Sequence, residues 1–170
     1  MKVIQGLKQL KVVEKRMEAN RKRIEDYASM VSTERPLFES EDTQKKEIMA
    51  LVQANMDLGV EYRELKKQVD RTNLTIEVTV GKDTYTIADL LILRRSLAKT
   101  MINTYKALND NTGQIRLRNF TSRVTEGKTP TVVRLYDEKV KNAGMKEWID
   151  LLDEIEMRLE VINATTDLVD

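Results

Sequence analysis

The sequence predicts a mainly α-helical fold, built from long antiparallel coiled-coil-like helices with one small β-hairpin and assembled as an oligomeric helical bundle. Two observations carry this expectation. Apolar residues recur at alternating steps of three and four over long stretches, the signature of helices that share a seam. Charged residues make up 34% of the chain and hydrophobic ones 41%, while only 6 Gly and 2 Pro interrupt it, the balance of surface-rich helices. A chain of 170 residues suits one domain, read here as residues 1–170: a helical hairpin at 1–73, a β-hairpin at 74–87, a helix at 88–110, a basic loop at 111–136 and a last helix at 137–168.

Each element has its own signal. Val3, Gly6, Leu10, Val13, Met17, Asn20, Ile24, Tyr27 and Val31 form the seam of the first helix. The stretch Ser32 to Asp42, centred on Arg35-Pro36, breaks it, because proline cannot continue a helix and restricts the residue before it. A second seam follows at Ile48, Leu51, Asn55, Leu58, Tyr62, Leu65 and Val69, and the two helices are expected to pair antiparallel. Asn20 and Asn55 in the seams are expected to make register-setting polar contacts between helices rather than to hold a ligand.

After Asn73 the period becomes two. Ile76, Val78 and Val80 alternate with Thr and Glu, and Gly81-Lys82-Asp83 turns the chain into Thr84 to Ile87, which reads as a hairpin. Thr86 with Asp89 three residues on is a capping box, so the third helix begins there. Asn109-Asp110-Asn111-Thr112-Gly113 is expected to end that helix, leaving Gln114 to Val133 as loop or weak ribbon. Met145, Trp148, Leu152, Ile155, Leu159 and Ile162 mark the final seam.

Composition narrows the chemistry. With neither Cys nor His, the chain lacks disulfides, thiolate metal sites and the usual general base near neutral pH. No phosphate-loop glycine pattern or nucleophile elbow is present, so no catalytic constellation, metal site or cofactor is expected. The 29 basic residues nearly cancel the 28 acidic ones, which argues against a nucleic-acid polymer or an anionic membrane as partner. No continuous apolar stretch suggests a signal peptide or a span, and a cytoplasmic location is the expectation.

The balance breaks locally around Arg116, Arg118, Arg123, Lys128 and Arg134, which face the single acid Glu126. Arginine forks bind phosphate or carboxylate bidentately, and Thr121, Ser122, Thr125 and Thr129 would add donors. A solvated loop is the plainer reading of the same charges. Phe120 would either stack on a base or anchor the loop to the bundle. Arg94 and Arg95 follow the apolar run Leu90 to Leu93 and would meet either a ligand or a carboxylate of the chain.

Several stretches resemble the septicolysin-like family of small bacterial and phage proteins. They are Arg71-Thr72-Asn73 before the extended region, Leu91, Arg94 and Leu97 at a Leu-x-x-Arg-x-x-Leu spacing, Arg118-Asn119-Phe120-Thr121-Ser122-Arg123, and the tail Ile162 to Leu168, in which Ala164 departs from the expected Trp. The resemblance implies a helical homo-oligomer with a polar site at the matched Arg and Asn positions. Joined to the basic segment, this places ligand-binding residues at Arg71, Asn73, Arg94, Arg116, Arg118, Phe120 and Arg123. The expected role is non-catalytic capture of a small anionic, nucleotide-type ligand, in its sharpest form a phage sponge against host immune signalling. A structural coiled-coil assembly with no ligand accounts for the same composition.

Overall fold

The computed structural model describes residues 1–119 and 129–169. The chain is mainly helical with one two-stranded antiparallel sheet. The chain divides into two compact units, Met1–Ile76 with Glu160–Asp170, and Glu77–Leu159.

The first unit is built on α1 (Val3–Tyr27) and α2 (Glu41–Thr75). Their partners run in opposite directions. Gln9 donates to Glu61 at 2.9 Å, Asn20 to Asn55 at 3.0 Å, and Arg23 pairs with Glu47 at 3.3 Å, so the helices form an antiparallel hairpin. The expected seams are the contact. Val3, Gly6, Leu10 and Val13 are buried, the seam thins to half-buried residues from Met17 to Tyr27, and Val31 is exposed. Asn55 also donates to the Met17 carbonyl at 3.1 Å, so the seam asparagines satisfy one another and the backbone rather than face a ligand.

The connection between the helices is pinned by one buried side chain. Gln44 donates to the Tyr27 carbonyl at 2.8 Å and accepts from the Leu37 amide at 3.1 Å. Ser40 caps α2 by accepting from the Thr43 amide at 3.1 Å, with Glu41 and Asp42 in the first turn, where negative charge suits the helix dipole.

The two ends of the chain meet in this unit. Val3 donates to the Thr166 carbonyl at 2.9 Å and Leu168 to the Met1 carbonyl at 2.8 Å, an antiparallel bridge of Lys2 with Asp167. Leu168 packs against the cluster of Leu10, Leu65, Val69 and Tyr62. Gly6 makes room for it, since a Cβ there would lie 2.8 Å from Leu168 Cδ1. The wholly buried Thr72 donates to the Gln68 carbonyl at 2.7 Å and accepts from the Val169 amide at 2.9 Å.

In the second unit, β1 (Glu77–Val80) pairs with β2 (Asp83–Thr86), Val80 opposite Asp83. Gly81 at φ 61° takes the left-handed turn position that other residues adopt at a cost. The Thr86–Asp89 capping box forms in both directions, at 3.0 and 3.1 Å. The helix it starts has three parts: α3 (Ile87–Ile92), a π-helical turn (Leu93–Leu97) and α4 (Ala98–Ala107). The wider turn brings Leu93 and Ala98, five apart, to buried positions and turns Leu97 outward, a register that an uninterrupted α-helix would not give.

Residues 111–136 are not all loop. A short helix, α5 (Asn111–Arg118), follows α4 directly. The Asn109 side chain accepts from the Asn111 amide at 3.0 Å, so the polar cluster that reads as a helix stop also launches the next helix. The final helix, α6 (Glu138–Thr165), runs from the second unit into the first and buries Gly144, Ile155 and Leu159. No helix among the described residues is long and apolar enough to cross a membrane.

Gly144 lies directly against Tyr105, whose Cζ would be 2.3 Å from an added Cβ. Gly144→Ala should therefore destabilise the protein. Displacing the ring costs about 1–3 kcal/mol, against a helix-propensity gain of about 0.5–1 kcal/mol. Urea denaturation should show a lower midpoint for the variant, and an unchanged or higher one would contradict this packing.

Candidate functional site

The predicted ligand residues fall in both units. Arg71 and Asn73, at the end of α2, belong to the first. Arg71 is exposed, and Asn73 is half-buried beside Thr72. Arg94 on the π-helical turn and Arg116 and Arg118 on α5 belong to the second, all exposed. Phe120 and Arg123 lie outside the described residues, as do Thr121, Ser122, Thr125, Glu126 and Lys128.

The arginines divide into two kinds. Arg21, Arg23, Arg63, Arg134 and Arg158 each hold a carboxylate. Among the described residues, Arg16, Arg35, Arg71, Arg94, Arg95, Arg116 and Arg118 form no such pair, and four of these, Arg71, Arg94, Arg116 and Arg118, are predicted ligand residues. Arg116 and Arg118 are two residues apart on one helix, which aims them to different sides, and one ligand on one face of α5 meets only one of them.

Arg116 borders a groove. A groove of about 290 Å³ is lined by Gly113, Arg116 and Leu117 of α5 and by Pro130 to Val133 of the segment beyond it. The groove depends on Gly113, where a Cβ would come within 2.8 Å of Val132 Cγ1, so the missing side chain lets the two walls approach. Apolar walls with one cationic head at the edge suit a ligand with a flat apolar body and an anionic group. Arg94 is not part of this lining. A second cavity, of about 310 Å³, adjoins the connection between α1 and α2, but its central polar side chain, Gln44, is already bonded to the backbone on both sides.

Arg134, part of the basic segment singled out in the sequence, is a structural clamp. Its guanidinium holds Asp110 through Nε at 3.2 Å and Nη2 at 2.7 Å and also pairs with Glu138. Tyr136 donates to Asp110 at 3.1 Å, while Arg134 and Lys141 sit 5.5 Å from the Tyr136 ring centre. The Arg134 hydrogen bond holds the Asp110 carboxyl below its ordinary range, and burial followed by the Asp110 bond pushes the Tyr136 phenol up. This cluster fastens the start of the last helix to the start of α5. Sequence reasoning missed it because Asp110 and Arg134 lie far apart in the chain and carry no shared motif.

The acidic stretch of α6 is engaged in a similar way. Asp150 pairs with Lys146 and Glu154 with Arg158, and Glu154 accepts from the Gly81 amide at 3.4 Å. Among the described residues no acidic group is arranged to hold a metal ion. Comparisons with known protein families, curated proteins and solved structures find no match.

Because the folded Asp110 carboxyl titrates below its unfolded value of about 3.9, its contribution is full above that pH and is lost as pH falls through the lower, folded value. Asp110→Asn should therefore flatten the loss of stability between neutral pH and about pH 3. Denaturation at the two pH values measures it, and an unaltered acid dependence would show that the clamp does not hold in solution.

Proposed function

We propose that this chain is a non-catalytic, homo-oligomeric binding protein that captures a small anionic, nucleotide-type ligand, with Arg116 gripping the anionic group at the α5 groove. The single observation behind this reading is the conjunction at that groove: an arginine with no ion pair among the described residues, beside apolar walls of Leu117, Pro130, Val132 and Val133. A base or sugar would lie along the walls while the phosphate meets the guanidinium, a division of labour common to pockets for such ligands. Arg94 and Arg118, exposed and likewise unpaired, would contact the ligand only from a neighbouring copy or from a second ligand. Sequestration by a phage sponge is the biological form of this proposal.

A second reading, a structural coiled-coil assembly without ligand, is favoured by a different observation. Met49, Val52, Met56 and Val60 recur at steps of three and four on α2, one or two positions off the seam that packs on α1, and Met49, Met56 and Val60 are more than half exposed. A second copy covering this stripe would extend the helical seam into a bundle.

Calorimetry against a panel of linear and cyclic nucleotides, with sedimentation of the same samples, separates the two. The capture reading expects saturable heat that Arg116→Ala weakens about ten- to a hundredfold, the worth of a charge-assisted hydrogen bond of roughly 1.5–3 kcal/mol, with the oligomer unchanged. No heat from the parent with any nucleotide overturns capture. A monomer of 19.7 kDa at micromolar concentration overturns assembly and, with it, the homo-oligomeric part of the capture reading.

A further inference from the structure

The near-zero net charge conceals a segregated one. From Leu90 to Asn109 the chain contains Arg94, Arg95, Lys99 and Lys106 and neither Asp nor Glu. In α1 and α2 acids lie three or four residues from many of the cations and pair with them, as in Arg21 with Glu18 or Lys66 with Asp70, although Lys8, Lys11, Lys15 and Arg16 of α1 are also exposed and form no ion pair among the described residues. All four cations of the α3–α4 helix are exposed, and among the described residues none forms an ion pair. The one acid that follows, Asp110, is held by Arg134.

The π-helical turn creates this surface. By sending Leu93 and Ala98 inward, it leaves Arg94, Arg95, Ser96 and Leu97 all exposed. Beyond it, Lys99, Asn103 and Lys106 recur at steps of four and three, along one side of α4. At 1.5 Å per residue, Arg95, Lys99 and Lys106 are spread over about 16 Å of helix, several phosphate steps of a strand that carries one charge per about 3.4 Å.

We infer that the exposed side of the α3–α4 helix is a binding face for the phosphodiester backbone of a nucleic acid. A compact anion would engage one or two of these cations, whereas a polyanion engages the whole row. The polar character of α4's outer side, Lys99, Thr100, Asn103, Thr104 and Lys106, favours this partner over a membrane, because Met101, Ile102 and Tyr105 are half-buried within the protein and an interfacial helix needs such residues free to enter lipid. An acidic protein partner would need an apolar centre at the interface, whereas the exposed apolar residues of this stretch, Ile92, Leu97 and Leu108, stand five and eleven residues apart along it. The hydroxyls of Ser96, Thr100 and Thr104 donate to the backbone one turn earlier, at 3.2, 3.0 and 2.9 Å, so the donors facing outward are mainly cations. With no aromatic side chain among them to stack on bases, the face holds phosphates and does not read sequence. This face is separate from the Arg116 groove and does not depend on nucleotide capture there.

Fluorescence anisotropy of the full chain with two short labelled DNA duplexes of unrelated sequence tests the inference. Expected are Kd values of about 10⁻⁴–10⁻⁶ M at physiological salt, alike for both duplexes. The logarithm of the binding constant should fall with log salt at a slope of about −3, for contacts from Arg95, Lys99 and Lys106. Lys99→Glu and Lys106→Glu should each weaken both duplexes and shrink the slope by about one. Lys8→Glu, at an exposed site on α1, should change neither, with circular dichroism confirming that all three variants fold. The inference is overturned if the duplexes give no anisotropy change even at low salt, or if Lys8→Glu weakens binding as much as the α4 variants. Binding to phosphatidylserine vesicles in place of DNA also overturns it. Calorimetry that finds no nucleotide heat leaves it standing, so the two proposals fail separately.

Discussion

Residues 1–3 and 166–168 meet in an antiparallel bridge, and through it the start of α1, the end of α2 and the tail after α6 share one apolar cluster. The chain leaves the first unit at Ile76 and returns at Glu160, so this contact closes a long excursion. The entropic cost of closing such a loop grows only slowly with its length, and a few well-made contacts offset it. They are the paired backbone groups, the Leu168 side chain in the space that Gly6 leaves open, and the Val169 amide on the buried Thr72 hydroxyl. Full burial of a leucine contributes about 1.5–3 kcal/mol, and the partly buried Leu168 contributes a share of that. The Lys2–Asp167 ion pair, at 2.7 Å but largely exposed, adds little beside that.

The second unit uses the same device on a smaller scale. Asp110 and Arg134 bracket α5 and the segment beyond it, and Gly144 receives the Tyr105 ring. Because these structural tasks fall to Arg134 and to glycines, Arg94, Arg95, Lys99, Arg116 and Arg118 are left with no structural partner among the described residues. The unpaired cations, rather than the basic segment as a whole, therefore mark the surfaces proposed to bind ligands.

Much of this was legible in the residues themselves. The seams of α1 and α2, the turn at Gly81 and the Thr86–Asp89 cap each rest on local periodicity or short-range hydrogen bonding, which sequence reports directly, whereas the structural role of Asn20 and Asn55 was legible and their pairing with each other was not. The π-helical turn was not legible, because the pattern Leu90, Leu93, Leu97 fits an ordinary helix equally well and only the burial of Ala98 reveals the slip. Helix α5 was hidden by Asn109 to Gly113, which have the composition of a helix stop. Thr72 and Leu168 stood out as parts of recurring motifs, yet what they do, joining the chain ends, depends on partners about a hundred residues or more away. The candidate site was legible as unusual charge. Which arginines are free was not, since Arg134 and Arg116 differ only in what the fold brings beside them.

Hydrogen exchange at the amides of Val3, Leu168 and Val169 tests most directly whether the first unit depends on the pairing of residues 1–3 with 166–169. If it does, these three amides exchange with the same opening free energy as those of Leu65 and Val69 in the core of the unit, and only when the whole unit opens. Exchange at Leu168 and Val169 that is orders of magnitude faster than at Leu65 and Val69 would show that the tail detaches while the hairpin stays folded, and would contradict the account.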